Sequence, residues 1–129
     1  MAFIDRVKEI YGAISKLPED NACFHDPALV LTWVEMRGGP YGGEYNGFGE
    51  VLENVFSRIG AEWDDFRFTP AAFHDAGDTV TVEGDYTGTY KKTGKKIDAR
   101  VIHLWKTADG KIRFEQFTDT ALFQEVAKN

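Results

Sequence analysis

Apolar residues near the start of the chain recur at three- and four-residue spacing: Phe3, Ile4, Val7, Ile10, Tyr11, Ile14 and Leu17 share one face, which predicts an amphipathic helix. Pro18 ends that helix or starts the next, and Pro18 to Pro27 predicts a short second helix, with Pro tolerated in its first turn and closing its end. Ala28 to Met36 (ALVLTWVEM) then reads as a strand with Leu31, Trp33 and Glu35 on one face. Gly38, Gly39, Gly42, Gly43 and Gly47 predict a loop, and with Pro40 and Tyr41 this loop would form a flexible flap over the mouth of a pocket. Val51, Leu52, Val55, Phe56 and Ile59 mark a third helix that stops at Gly60. Strands follow over Trp63 to Phe73 and Thr79 to Tyr90, with Ala76-Gly77-Asp78 turning between them, and the chain closes on an amphipathic tail holding Leu122, Phe123 and Val126.

Lys95 to Phe123 reads as two strands joined by a tight turn, with ionisable residues set among apolar ones. That mixture predicts a sheet wrapped around a cavity. A three-residue Ala108-Asp109-Gly110 loop would set Thr107 opposite Lys111, His103 opposite Glu115, Val101 opposite Phe117 and Ala99 opposite Asp119, all on one face. A two-residue Asp109-Gly110 turn would slip the partner strand by one and bring Phe114, Gln116 and Thr118 to the face of His103 instead. The three-residue register is the expectation here.

Composition narrows the class. A chain of 129 residues, 43% apolar and 14% aromatic, forms one domain over 1–129 with a single core. Net charge of −6 and a pI near 5.0 argue against nucleic-acid or anionic-membrane partners, which need a basic face. The single cysteine, Cys23, excludes an internal disulfide, and MAFIDRVKEIY has neither a basic n-region nor an apolar h-region, so a cytoplasmic protein is expected. No apolar run approaches the roughly 18 residues of a membrane span. The three histidines lie in separate elements without HxH or HExxH spacing, and neither GxGxxG after a strand nor a GK[ST] ending occurs. No metal or cofactor is therefore expected. Cys23, Ser15 and Ser57 have no apparent base to make them nucleophiles.

Helices followed by antiparallel strands, with one strand split off early, predict an α+β fold in which helices cover one face of a curved sheet. The order of elements, the loop Gly39-Pro40-Tyr41-Gly42-Gly43-Glu44-Tyr45-Asn46-Gly47 and the ending HLWKTADGKIRFEQFTD resemble the SnoaL-like and ketosteroid isomerase-related branch of the nuclear transport factor 2-like superfamily. The resemblance implies a cone-shaped barrel of a strongly curved, mostly antiparallel sheet packed against three helices from the N-terminal half and enclosing a pocket. It also implies a homodimer through the outer face of the sheet. For activity it implies a range that includes isomerases, cyclases, epoxide hydrolases, dehydratases and members that only bind or assemble. Tyr11 stands where the steroid isomerases carry a carbonyl-polarising tyrosine, Glu35 near their carboxylate base, and His103 where they carry a neutral aspartic acid that donates to the oxyanion. Asp119 stands where the cyclases carry an acid at the end of the last strand. Glu83-Gly84-Asp85 lacks the Arg of the epoxide hydrolases' Arg-x-Asp pair, which argues against that chemistry.

Each candidate also has a structural role open to it. Asp119 precedes the C-terminal tail as a favoured helix N-cap, worth about 1 kcal/mol. His103 could pair with Glu115 across the strands, and Tyr11 could be a core aromatic with a satisfied hydroxyl. Arg100 and Asp98 point outward by alternation, and His25 and His74 suit helix-end and turn roles. His103 and Asp119 would be about 13 Å apart along the strand, too far for a direct dyad. The leading expectation is a cofactor-free acid-base enzyme of isomerase, cyclase or lyase type acting on a small, largely apolar carbonyl compound. Catalysis would rest on His103, Asp119, Tyr11 and Glu35, and ligand contact on Trp33, Val101, Trp105, Glu115, Phe117 and Tyr41. The competing expectation is a non-catalytic module that binds an apolar molecule or supports an assembly.

Overall fold

The protein is described by a computed structural model covering residues 2–17, 19–20, 22–25 and 30–129. The roles expected of Pro18, Pro27 and the His25 side chain, and the start of the first strand at Ala28, lie outside the described residues. Within the segment expected to be a second helix, the described part is one 3-10 turn, Ala22–His25.

The amphipathic face predicted first becomes α1 (Phe3–Ile14), with Val7 and Ile10 buried and Leu17 just beyond its end. β1 (Val30–Glu35) follows, and then β2 (Gly43–Asn46). The presence of β2 corrects the expectation of an unbroken glycine loop. Glu44, Tyr45 and Asn46 pair antiparallel with Val34, Trp33 and Thr32, so β1 finds a partner that glycine counting alone does not predict. α2 (Phe48–Val51), a π-helical turn (Leu52–Phe56) and α3 (Ser57–Glu62) run end to end. The helix thus continues past Gly60 and stops where Trp63 turns to extended backbone. β3 (Trp63–Asp75), β4 (Thr79–Tyr90), β5 (Lys96–Ala108), β6 (Lys111–Thr118) and α4 (Thr120–Ala127) complete the chain.

The six strands form one mixed sheet in the order β2-β1-β6-β5-β4-β3, antiparallel throughout except for the parallel β1–β6 pair. It curls around the helices without closing. Two register shifts in β3, between Asp64 and Arg67 and between Pro70 and Ala72, bend its edge.

The hairpin between β5 and β6 corrects the expected register. Ala108 faces Lys111, so the connection is the two-residue Asp109-Gly110 turn, with φ of 53° and 74° at its two positions. Positive φ at both central residues makes a turn whose twist matches that of the flanking strands, and Asp-Gly is well suited to it. His103 accordingly faces Gln116, not Glu115. Glu115 and Phe117 are thrown to the outer face, and Phe114 and Gln116 to the inner one.

The inner face carries two apolar clusters. The larger centres on Trp105 and Phe114, both 0% exposed, against Trp33, Val7, Ile10, Val51 and Val55. In the smaller, α4 seats Phe123 and Val126 on Trp63, Ile97, Ala99 and Val101. Each Val, Ile or Phe side chain so buried stabilises the fold by about 1.5–3 kcal/mol. Among the described residues no helix is long and apolar enough to cross a membrane.

Gly84 sits where β4 passes beneath the Phe68 ring. A Cβ there would lie 2.6 Å from the Thr69 carbonyl oxygen as well as overlapping that ring. Backbone on one side and an aromatic wall on the other leave no cheap relief, so Gly84→Ala should lower the stability by about 1–3 kcal/mol in urea unfolding. A change within experimental error would show that β3 yields there at no cost.

Candidate functional site

A cavity of about 540 Å³ lies between the sheet and the helices. α1 contributes Tyr11 and Ile14, and the helical segment 48–62 contributes Leu52, Val55, Phe56 and Ile59 from its π turn and flanks. Strand alternation supplies the remaining wall: Trp33 and Glu35 from β1, Phe66 and Phe68 from β3, Tyr86 from β4 and His103 from β5. A smaller recess of about 30 Å³ under the glycine loop shares Glu35, Ile59, Phe66 and Tyr86 with the cavity.

The polar groups of this wall form one hydrogen-bonded chain. Tyr11 Oη lies 2.6 Å from His103 Nδ1, and Tyr86 Oη lies 2.7 Å from His103 Nε2. Trp105 Nε1 donates to Tyr11 Oη at 2.8 Å. Gln116 Nε2 donates to Tyr86 Oη at 3.0 Å and to Glu35 Oε1 at 3.3 Å, while Trp33 Nε1 donates to Glu35 Oε2 at 3.1 Å. Among the described residues no buried side-chain nitrogen or oxygen is left without a partner. That matters because an unsatisfied buried polar group costs about 1–3 kcal/mol.

Burial sets the ionisation of these groups. The Glu35 carboxyl is raised to about 7 by loss of solvent, against the opposing pull of the Trp33 N–H. His103, held between the rings of Phe68 at 4.3 Å and Phe114 at 4.8 Å, is pushed down to about 3 by the same loss of solvent and is a neutral imidazole. Burial also raises both tyrosines above their ordinary range, opposed at Tyr11 by Trp105. At Tyr86 the Glu35 charge adds to burial, and Gln116 opposes both. Lys and Arg are absent from the described cavity wall, so Glu35 has no counterion there.

The structure brings four of the expected site residues together on the cavity: Tyr11, Trp33, Glu35 and His103. Trp105 is fully buried behind the cavity wall, bonded to Tyr11 and packed edge-on against Trp33. Val101 lies away from the cavity wall, in the cluster beneath α4. Tyr41 roofs the small recess, its hydroxyl donating to Glu62 at 2.9 Å and accepting from Trp63 at 3.0 Å. The Gly39–Gly42 turn beside it is tied by backbone bonds from Gly39 to Met36 and from Gly42 to Gly39.

Three more expected site residues stand elsewhere. Glu115 and Phe117 are turned outward by the two-residue hairpin. Glu115 pairs with Arg113 at 3.3 Å, and Phe117 is 44% exposed. His103 therefore makes its hydrogen bonds to tyrosines instead of the expected glutamate. Asp119 is exposed and caps α4, its Oδ1 accepting from Leu122 N at 3.2 Å. His74 bonds Glu83 at 2.5 Å on the surface.

Sequence reasoning missed Tyr86, Gln116, Phe66 and Phe68. Tyr86 was legible by alternation, since Val80, Val82, Gly84 and Tyr86 are the buried parity of β4, whereas Glu83 and Asp85 are not. Gln116 reaches the inner face only in the two-residue register. Among the described residues no group of three or more His, Cys, Asp or Glu side chains is placed to hold a metal ion.

Comparison with known proteins agrees with this architecture. The chain is similar to an NTF2-like protein from Burkholderia thailandensis E264, at 41% identity with a TM-score of 0.87 over 100% of this chain and 99% of that one. An NTF2-like protein of unknown function from Burkholderia pseudomallei K96243 shares 24% identity with a TM-score of 0.79, over 98% of this chain and 97% of that one. TerC, co-crystallized with polyporic acid, shares 23% identity with a TM-score of 0.73, over 93% and 95% of the two chains. At these two lower identities the likeness shows the fold alone. No curated protein matches the sequence. The sequence pattern of the SnoaL-like domain, however, matches residues 13–115, and with most of its length so covered the chain belongs to the SnoaL-like domain family.

Proposed function

We propose that the protein is a cofactor-free enzyme of isomerase, cyclase or lyase type that moves a proton beside the carbonyl group of a small, largely apolar compound. The observation that carries this reading is Glu35: a buried carboxyl raised to about 7, without a cationic partner, on the wall of an aromatic cavity. A base with a pKa near the working pH combines a usable ionised fraction with real proton affinity. Ionised Glu35 takes the proton from the carbon next to the carbonyl. The carbonyl oxygen, gaining negative charge, accepts a hydrogen bond from a tyrosyl hydroxyl at the Tyr11–His103–Tyr86 end. Low dielectric strengthens that stabilisation. Return of the proton from neutral Glu35 to a different carbon yields an isomer; attack of the enolate carbon on a second carbonyl, whose oxygen takes the proton back from Glu35 as it becomes a hydroxyl, yields a ring. That structurally similar TerC has been co-crystallized with polyporic acid supports a small-molecule occupant.

Deuterium uptake at the α-carbon of a panel of steroid-like, polyketide-like and aromatic ketones, followed by NMR, tests the chemistry whatever product the enzyme forms. Glu35→Gln should slow exchange by ~10²–10⁴-fold, and the wild-type rate should rise with pH through about 7 as Glu35 ionises. Exchange unaffected by Glu35→Gln would sink the proposal. Ligands that bind with an affinity flat in pH and never exchange would leave the non-catalytic binding module standing.

A second consequence needs no substrate. The folded-state pKa of Glu35 lies above its unfolded value of 4.5, so its contribution is fully present below 4.5 and is lost as pH rises to about 7. The loss is on the order of 2–3 kcal/mol by linkage. Glu35→Gln should flatten that part of the stability-pH curve in urea unfolding; an unchanged slope would place the ionisation of Glu35 in its ordinary range.

The same reading includes a homodimer through the outer face of the sheet. Ile102 and Phe117 are cross-strand partners there, 38% and 44% exposed. Charging both, as Ile102→Glu with Phe117→Glu, should halve the mass seen in sedimentation equilibrium. A monomeric wild-type protein would remove the dimer from the proposal.

A further inference from the structure

Counting donors and acceptors around His103 shows that the site has one hydrogen to spare. The indole of Trp105 only donates, so its 2.8 Å contact makes Tyr11 Oη an acceptor. Gln116 Oε1 accepts from the Met36 backbone N–H at 3.2 Å, which fixes the amide so that its NH₂ faces Glu35 and Tyr86. Tyr86 Oη is therefore an acceptor as well. Each tyrosine retains its own O–H, and the remaining close contact of each hydroxyl is to His103: Tyr11 at Nδ1, Tyr86 at Nε2.

A neutral imidazole has one N–H and one bare nitrogen. Aromatic rings, without a carboxylate, surround His103 and keep it in that neutral form. It can take the hydrogen of one tyrosine only, and it must donate to the other. The tyrosine that receives the histidine N–H then accepts twice, and its own O–H has no partner within the chain of bonds.

Burial decides which tyrosine that is. Tyr86 is 7% exposed and closed in by the rings of Phe66, Phe68 and Phe123. Both tyrosines line the cavity, and Tyr11 is the more accessible of the two, half-buried where Tyr86 is buried. A spare O–H costs least on the hydroxyl that water or an occupant reaches more readily, which is that of Tyr11.

We infer that His103 acts as the Nδ1–H tautomer, donating to Tyr11 and accepting from Tyr86, and so makes Tyr11 an outward hydrogen-bond donor that selects ligands with a neutral acceptor oxygen, such as a ketone or quinone carbonyl. His103 is on this account a positioning residue, in place of the oxyanion donor that its position in the sequence suggests. Absence of Lys and Arg from the described wall fits a neutral oxygen and disfavours a carboxylate or phosphate. The inference takes from the proposed function only that an oxygen-bearing molecule occupies the cavity, and it does not depend on Glu35 as base.

The test uses the intact protein with 1-tetralone, ¹³C-labelled at its carbonyl, and with tetralin, its hydrocarbon counterpart. Long-range ¹H–¹⁵N spectra of the histidine rings, assigned by the signal lost in His103→Asn, should show the proton of His103 on Nδ1 in the ketone complex. The infrared carbonyl stretch should lie below its value in hexane and move back towards that value in Tyr11→Phe. That variant should weaken the ketone about five-fold, the worth of one hydrogen bond of about 1 kcal/mol, and leave tetralin unchanged. A proton on Nε2 in the ketone complex overturns the inference. So does a carbonyl stretch indifferent to Tyr11→Phe, or no binding of the ketone at its solubility limit. Glu35→Gln should keep both spectral signals while slowing deuterium exchange as stated above, so failure of the proposed reaction and failure of this inference are separable.

Discussion

The site depends on the parity of β6, and a two-residue turn sets that parity. With Asp109 and Gly110 both at positive φ, Ala108 meets Lys111 and each later residue of β6 is assigned to one side of the sheet. One residue more in the loop would reverse every assignment. Gln116 would then leave the cavity side, and Glu35 and Tyr86 would lose the amide that joins them. Glu115 would move among aromatic rings with its Arg113 partner left outside. The turn is local, but its consequence reaches the far end of the strand.

Once that parity is set, the inner face has to accommodate polar groups in an apolar interior. It does so by joining them into one chain, from Trp105 through Tyr11, His103, Tyr86 and Gln116 to Glu35 and Trp33. Its members satisfy one another save for the one tyrosine O–H left over, which reduces the penalty that isolated buried polar groups would carry. Loss of solvent then perturbs two of its titratable members, His103 and Glu35, in opposite ways. It holds His103 neutral and retains a proton on Glu35 to higher pH. A neutral imidazole and a carboxyl near neutrality are different tools, and the same physical cause makes both.

The cavity is walled by the sheet on one side and by two helical elements on the other. α1 holds Val7 and Ile10 in the core and leaves Tyr11 at the rim. The helical segment 48–62 carries its π turn, a form often found beside functional sites, where Leu52, Val55 and Phe56 line the cavity. At the opposite end, α4 seals the smaller cluster with Phe123 and Val126, and Asp119 starts that helix. The acid at the end of the last strand thus serves as the cap of a helix.

The amino-acid sequence by itself determined the elements whose signals are local and repeated. The three- and four-residue spacing from Phe3 to Ile14 makes α1, and alternation within Thr79 to Tyr90 makes β4, because both follow from side-chain geometry along a single segment. Tyr11, Trp33, Glu35 and His103 were legible as inner-face residues for the same reason. The family resemblance supplied the curved sheet and the pocket. Only the tertiary structure decided which of two near-equal turns closes the hairpin, and hence that Gln116 belongs to the site while Glu115 and Phe117 do not. It alone placed β2 within the glycine-rich segment, since a four-residue strand forms there by pairing with β1 more than by its own composition. It alone set Tyr86 against His103, two residues 17 apart in the chain and joined by a 2.7 Å contact between neighbouring strands. Segment-local spacing is written in the order of residues; register, long-range pairing and burial arise only when separate segments meet.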